Sequence, residues 1–321
     1  MSNIQSSTIP YEMHGKRIDQ VLVDLFPDYS RSRLQSWLKN GDITVDNKAV
    51  KAKYKVLGGE LIRMQLTLEP EGEWLAENIP LDIKFEDDYI IVVNKPANLV
   101  VHPAVGNYTG TMLNALLYHC PELINIPRAG IVHRLDKDTT GLLVIAKTLI
   151  TQTHLVNQLQ ERAFEREYEA LVVGELSGGA TIDTLYGRHP THRTKMSVFR
   201  TPNNHKNLKT AITHYQISQR YSIHTRLKVN LETGRTHQIR VHLAYKKIPI
   251  VGDKAYGGRL KYPSGSSEQL ISALEQFNRQ ALHARKLGFE HPVTHQWMSW
   301  EQEAPEDLQN LYKLLLAHKN Q

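Results

Sequence analysis

The sequence predicts an α+β protein with two domains: a small N-terminal αβ module, then a larger domain whose mixed, mainly antiparallel β-sheet is flanked by helices and loops. Three observations carry this expectation. With 321 residues, 40% of them hydrophobic, the chain can bury more than one core. Helical spacing and β-branched runs mix along it without the regular βαβ rhythm of a parallel sheet. Finally, LEPEGEWLAENIP at 68–80 brings acids, Gly and Pro without periodicity, and it separates a short first part from a strand-rich second.

In order, residues 1–11 read as a disordered polar tail, 12–68 as the small module, 69–80 as a linker and 81–321 as the larger domain. Within the module, Ile18, Val21, Leu22 and Leu25 recur at helical spacing. Leu34, Trp37 and Leu38 do so again, in a helix starting near Ser32. Short alternating pieces at 43–45 and 60–64 predict small strands, with Asp46-Asn47-Lys48 as a turn. In the larger domain, DIKFEDDYIIVVNKPANLVVHP holds two β-branched runs broken at Lys95-Pro96. Further strands are expected at 142–146, 168–173, 212–217 and 225–231, and helices at 111–118, 151–162 and 236–244. Residues 187–209 read as a long basic loop and 262–267 as a short flexible one.

Composition narrows the function classes. A net charge of +6 and a pI of about 9.2 fit a polyanionic partner without demanding one. A single cysteine, Cys120, excludes an internal disulfide framework and a four-thiolate zinc site, and it suits a reducing cytoplasm. The N-terminus lacks the apolar core of a signal peptide and no run approaches a membrane span, so a soluble cytoplasmic protein is expected. The sixteen histidines include no HExxH and no Cys/His finger spacing. His237 and His242, five apart, do not share a helix face, and scattered polar or core histidines are expected instead of a metal site. GxGxxG, Walker and GxSxG patterns are absent, so a nucleotide cofactor or a serine hydrolase has no local support.

The segment HRLDKDTTGLLVIAK at 133–147 sets two carboxylates among basic side chains, directly before a strand that reads as fully buried. One reading is a capped turn with solvated charges. The other is a nucleophilic or basic carboxylate, Asp136, held ionised at the edge of a sheet by nearby cations. In LETGRTHQIRVHLA at 231–244, Arg240 lies among Ile239, Val241 and Leu243, which turns it inward. A buried arginine needs an anion and a buried aspartate needs a cation. The residue types alone leave capping and catalysis both open.

HRLDKDTTGLLVIAK, REYEALVVGE and LETGRTHQIRVHLA, in this order and spacing, resemble the three sequence motifs of the RluA/RluD-type pseudouridine synthases. RIDQVLVDLFPDYSRSRLQSWLKNGDITVDNKAV, at 17–50, resembles an S4 RNA-binding domain. PRAGIVHRLDKDTTG and NKPANLVVHPAVGN extend the likeness, which runs from about residue 12 to beyond 300 and is greatest for the branch acting on a stem-loop of 23S ribosomal RNA. The resemblance implies an isomerase that detaches uracil from C1′, rotates it and rejoins it through C5, with no cofactor and no metal. It makes Asp136 the catalytic carboxylate, Tyr168 the active-site tyrosine and Arg240 the cation bound to the aspartate. Arg134 becomes the arginine that enters the RNA stack as the target uridine leaves it. Whether Asp136 forms an adduct or takes a ribose proton on the way to a glycal stays open.

The implied partner is 23S rRNA, in the large ribosomal subunit or its assembly intermediates, and a monomer is expected. Arg31, Arg33 and Lys39 flank the second helix of the first module and are candidates for backbone phosphate. Arg193 and Lys195, with Arg188, Arg200, Lys206 and Lys209, make a second candidate RNA track in the 187–209 segment. Asp138 is expected to cap its turn and His133 to orient the loop. Two competing functions fit the same residues less well. One is a non-catalytic RNA-binding ribosome-assembly factor. The other is a carboxylate hydrolase, which needs a second acid for which Asp138 is the only near candidate.

Overall fold

The computed structural model describes residues 3–27, 29, 31–66, 74–103, 108–192, 194–202 and 208–320. In the first part, β1 (Asn3–Thr8), α1 (Ile18–Leu25), α2 (Arg31–Asn40), β2 (Ile43–Val45) and β3 (Leu61–Leu66) form a helical pair on an antiparallel sheet of order β1-β3-β2. Ile18, Val21 and Leu22 of α1 meet Leu34, Trp37 and Leu38 of α2 over Ile43, Val45, Ile62 and Met64, one closed core. The helical spacing in the sequence was the spacing of that core. The tail is a different matter. Residues 3–8 are not frayed: β1 pairs with β3 from Asn3↔Leu66 to Thr8↔Leu61. Its polar side chains concealed an edge strand, because the ladder is made by backbone groups.

The second part is built on a ten-stranded sheet. Its elements are β4 (Asp82–Glu86), β5 (Ile90–Lys95), α3 (Met112–His119), β6 (Thr140–Ala146), α4 (Leu149–Gln160), β7 (Glu165–Val173) and β8 (Ala180–Arg188). They continue with β9 (Met196–Phe199), β10 (Lys209–Tyr221), β11 (His224–Leu231) and α5 (Gln238–Tyr245). Last come α6 (Glu268–Gln276), β12 (Leu282–Glu290), β13 (Trp297–Glu301) and α7 (Glu306–Lys319). The spatial order is β4-β5-β6-β12-β7-β11-β10-β8-β9, with β13 paired to β12. Every ladder is antiparallel except β6–β12. The sheet is therefore mixed and mainly antiparallel, in the α+β class.

Both faces of the central strands are covered. Ile91 and Val93 of β5 join α3, α6 and α7 in the larger core, while Ile90 and Val92 face Leu155 of α4 and Phe289. That is why β6 is buried along its whole length and reads as an unbroken apolar run. The parallel contact of β6 with β12 is short, His283↔Thr140 and Ala284↔Gly141. Gly141 has φ +113°, and a Cβ there would lie 2.2 Å from the Ala284 carbonyl oxygen. The glycine of the TTG sequence thus lets β12 dock against the start of β6.

Two further segments differ from expectation. The 187–209 stretch is not one loop: β8 runs to Arg188, and β9 pairs with it between Leu185↔Phe199 and Arg188↔Met196. β9 is only four residues long, MSVF, and lies among basic and polar neighbours, so it gave no strand signal. Within the presumed linker, residues 74–80 lie on the larger domain. Leu75 accepts a 2.7 Å hydrogen bond from Asn114 Nδ2, and the Glu77 carboxylate accepts from Gly110 N at 2.9 Å. Residues 67–73 are outside the described residues. Among the described residues, no helix is long and apolar enough to cross a membrane.

Candidate active site

The loop before β6, the ends of β7 and β11 and the start of α5 surround a cleft of about 760 Å³. Asp136, Tyr168, Arg240 and Arg134 all line it. The sequence-derived quartet therefore converges from three separate parts of the chain.

The Asp136 loop is fixed by buried groups. Lys95, fully buried at the end of β5, donates to the carbonyls of Pro96 (2.7 Å), Leu99 (2.9 Å) and Lys137 (2.8 Å). Three acceptors match the three N–H bonds of an ammonium group. Burial pushes the Lys95 pKa down to about 7, with the carboxylates of Asp138 and Asp136 opposing the fall. His133 accepts from Val144 N at 3.2 Å, and its ring stands edge-on to Phe164. Burial lowers its pKa to about 3, so the ring is neutral and can accept. Thr139 N closes the turn onto the Asp136 carbonyl at 3.1 Å. His133 orients the loop as expected. Among the described residues the Asp138 carboxylate forms no capping hydrogen bond: the main chain closes the turn, and Arg279 Nη1 donates to the Asp138 carbonyl at 3.4 Å.

Lys95 was passed over as a strand breaker. Lys95→Met is expected to strand three carbonyls, lowering stability by about 3 kcal/mol at roughly 1 kcal/mol each. Urea unfolding measures this; an unchanged midpoint would show that the contacts carry no weight.

Arg240 is delivered by a helix start that its neighbours lock. His237 takes a left-handed conformation, φ 57°, at the N-cap of α5. Gln238 Oε1 accepts from Arg235 N (3.0 Å) and Thr233 Oγ1 (2.8 Å), while Nε2 donates to Ile212 O (3.0 Å). Arg240 then donates through Nη1 to Asp136 Oδ2 at 2.8 Å. Its other edge grips Asp253, Nε to Oδ2 at 2.7 Å and Nη2 to Oδ1 at 2.9 Å. Burial alone would lower the Arg240 pKa, but the bonds and charges of Asp253 and Asp136 raise it above the ordinary value. Burial likewise opposes ionisation of Asp253, yet Arg240 and the N–H groups of Tyr256 and Ala255 hold its carboxyl below the usual range.

The geometry thus assigns different states to the two oxygens of Asp136. Oδ2 is tied to Arg240. Oδ1 accepts no hydrogen bond among the described residues and lies 3.8 Å from His237 Nε2. His237 Nδ1 is 2.8 Å from the Tyr256 hydroxyl. Burial lowers its pKa, with Asp136 opposing, so the ring is held toward its neutral form. The cleft therefore offers a carboxylate with one oxygen anchored by a guanidinium and one open, beside a buried phenol. The phenol belongs to Tyr168, whose main chain stands opposite Val229 of β11 on one side and Ala284 of β12 on the other. Burial raises its pKa, so it stays protonated at neutral pH.

Three site residues escaped the sequence reading. Asp253 gave no signal beyond a lone acid after Gly252. His237 was set aside with His242, although histidine is among the few residue types enriched at positive φ. Of the two, His242 is a fully buried core histidine, bonded to the Thr213 and Thr184 hydroxyls. Arg166, also in the cleft, had no assigned role. Among the described residues, no group of three or more His, Cys, Asp or Glu is placed to hold a metal ion.

The other candidate RNA contacts are placed unevenly. Arg31 and Arg33 stand in the first turn of α2 and Lys39 in its last, at opposite ends of the helix. One edge of Arg31 is committed to Asp19 at 3.3 Å, but its side chain is still 60% exposed. Arg33 lies over the Trp37 ring at 5.7 Å. Lys195 does not point to solvent: Nζ donates to Ala255 O at 2.6 Å, beside the Tyr256 ring. Arg193 and Lys206 are outside the described residues.

Residues 89–245 match the family model described as RNA pseudouridylate synthase, and residues 16–62 match that of the S4 domain. A protein of Pseudomonas aeruginosa named ribosomal large subunit pseudouridine synthase D is 50% identical over 311 residues, covering 97% of this chain and 95% of that one. A protein of the same name from Escherichia coli strain K12 is 49% identical over 313 residues, covering 97% and 94%. The solved structure titled Human RNA Pseudouridylate Synthase Domain Containing 1 superposes with a TM-score of 0.55 at 23% identity, over 73% of this chain and 87% of that one. It supports the fold.

Proposed function

The chain belongs to the RNA pseudouridylate synthase family, with an S4 domain ahead of the catalytic one, and from that premise we propose that it converts specific uridines of 23S ribosomal RNA to pseudouridine, with Asp136 as the catalytic carboxylate. The observation that carries the assignment is the 2.8 Å bond from Arg240 to Asp136 Oδ2, which leaves Oδ1 open to the cleft that Tyr168 lines.

The reaction is an isomerisation and balances without a co-reactant. The C1′–N1 bond breaks, the uracil turns, C1′ bonds to C5, C5 loses its proton and N1 gains one. Asp136 Oδ1 meets the ribose, either as the atom that bonds to the nucleoside or as the base that removes its proton. Arg240 holds the charge on Oδ2 while substrate excludes water. Tyr168 gives the uracil an aromatic face and a hydroxyl for proton movement at C5. The target leaves its stack at a cost of about a few kcal/mol, and Arg134, exposed at the cleft mouth, fills the gap.

Asp253, doubly bound by Arg240 and 5% exposed, is not a free second acid, which weighs against a two-carboxylate hydrolase. Arg31 and Arg33 place RNA phosphate on the first domain, and Arg193 supplies a further cation for the RNA backbone, whereas the Lys195 ammonium already donates to the Ala255 carbonyl. Work on ribosomal RNA puts the protein in the cytoplasm, acting as a monomer on the large subunit or its assembly intermediates. The experiment is tritium release. Ribosomal RNA labelled at uridine C5, from cells lacking the protein, is expected to lose label when the protein is added; no release would refute the assignment.

A further inference from the structure

Strand β7 runs Glu165-Arg166-Glu167-Tyr168-Glu169, and its alternation sorts charge by face. Glu165, Glu167 and Glu169 face away from the cleft, where they pair with Lys286, Lys228 and Arg226. Arg166 and Tyr168 face into it. Arg166 is therefore a buried cation, 7% exposed, on the side of the strand that has no acids.

Its bonding is incomplete. Nη2 donates to the carbonyls of Glu232 (3.2 Å) and Leu231 (3.5 Å). Nε, sealed from solvent, has no acceptor, and among the described residues Arg166 forms no ion pair. Burial lowers its pKa, and its neighbour on the same face of the strand, the Tyr168 phenol, is neutral at pH 7 and does not balance the charge. The other buried arginines of this domain are paired with carboxylates: Arg240 with Asp136 and Asp253, and Arg279 with Asp307. An uncompensated guanidinium in a dry position costs several kcal/mol, so its retention calls for an anion. Space has also been kept for it: a Cβ at Gly234 would come within 2.8 Å of Arg166 Nη1.

We propose that Arg166 is an anion subsite of the cleft that binds the phosphodiester of the everted nucleotide through its Nη1 edge. This rests on the RNA-isomerase reading of the same site. The phosphodiester is the anion that an RNA substrate brings. A neutral uracil carbonyl would leave the buried charge unbalanced. Arg166 and Tyr168 are two strand residues apart, about 6.6 Å at 3.3 Å per residue. One nucleotide can therefore lay its base by the phenol and its phosphate on the guanidinium, a two-point hold that aligns C1′ with Asp136.

The test pairs a protein change with a substrate change. Tritium release is followed on a ribosomal stem-loop carrying native phosphates, and on versions in which the phosphate 5′ or 3′ of the target uridine is a neutral methylphosphonate. Wild-type protein is expected to lose about 10- to 100-fold in kcat/KM on one neutral version, the loss of a charged hydrogen-bonded contact. Arg166→Met is expected to lose a similar factor on native RNA and nothing further on the neutral one. Arg166→Lys, which keeps the charge, is expected to stay sensitive to neutralisation, and it guards against misfolding of the methionine variant. Equal sensitivity of the wild type and Arg166→Met, or no sensitivity of the wild type to either neutral phosphate, overturns the subsite. No release by the wild type from native RNA overturns the isomerase reading beneath it.

Discussion

Asp136→Asn is expected to lower single-turnover tritium release by at least about 10⁴-fold while RNA affinity and unfolding midpoint stay within a factor of about two of wild type. The asymmetry follows from geometry. The amide keeps the shape of the carboxylate and an oxygen to accept from Arg240 Nη1, so the cleft stays assembled. What it removes is the anionic Oδ1, the atom left open beside His237. A ribosome-assembly factor that merely keeps the fold would be indifferent to this change. Full turnover by the asparagine variant would therefore remove Asp136 from the chemistry and favour that alternative. Loss of RNA binding in parallel would show instead that the carboxylate is structural.

Arg240→Met is expected to harm the fold as well as the activity, with a stability loss of about 3–5 kcal/mol at pH 7. The guanidinium neutralises two carboxylates, and Asp253 is the deeper of them, with its side chain 1% exposed. The pH dependence has a definite sign. In the wild type Asp253 titrates below its unfolded value, so its pairing stabilises the fold above the ordinary carboxylate range, and that contribution is lost as pH falls through the depressed native pKa. Without Arg240, burial dominates at Asp253, and the variant binds a proton more readily folded than unfolded. The stability gap between wild type and Arg240→Met should thus narrow from pH 7 to pH 5 in urea unfolding. A constant gap would mean that Asp253 draws its ionisation from elsewhere. Asp253→Asn leaves Arg240 its bond to Asp136 and should be milder for the fold.

What was legible in the sequence was what is local. Ile18, Val21, Leu22 and Leu25 announced α1 because one helix face repeats every three to four residues. The run at 142–146 announced β6 because both of its faces are buried. Asp136, Tyr168 and Arg240 were named because their neighbouring residues form specific patterns, and all three line one cleft. The parts that stayed hidden depend on contacts between distant segments. Nothing near Asp253 tells that Arg240 will fork across it, and nothing near Lys95 tells that three carbonyls will converge on its ammonium. β1 and β9 were missed because edge strands need little hydrophobic pattern when the partner strand supplies the ladder. Arg166 was hidden differently: it sits in a quoted motif, but its lack of a counter-ion is visible only once the three glutamates around it turn away.

The position of β12 has a consequence for how the protein matures. Asp136 precedes β6, Tyr168 sits on β7, and these strands never touch, because residues 282–290 lie between them. A nascent chain that has emerged only as far as Ala281 holds every cleft side chain named above yet lacks the piece that sets them at working distance. Competence is thus delayed until residues 282–290 have been made, and the closing event is insertion of a later segment between two earlier ones, a step of high contact order and correspondingly slow. Products that end before Leu282 should be unable to act on their RNA.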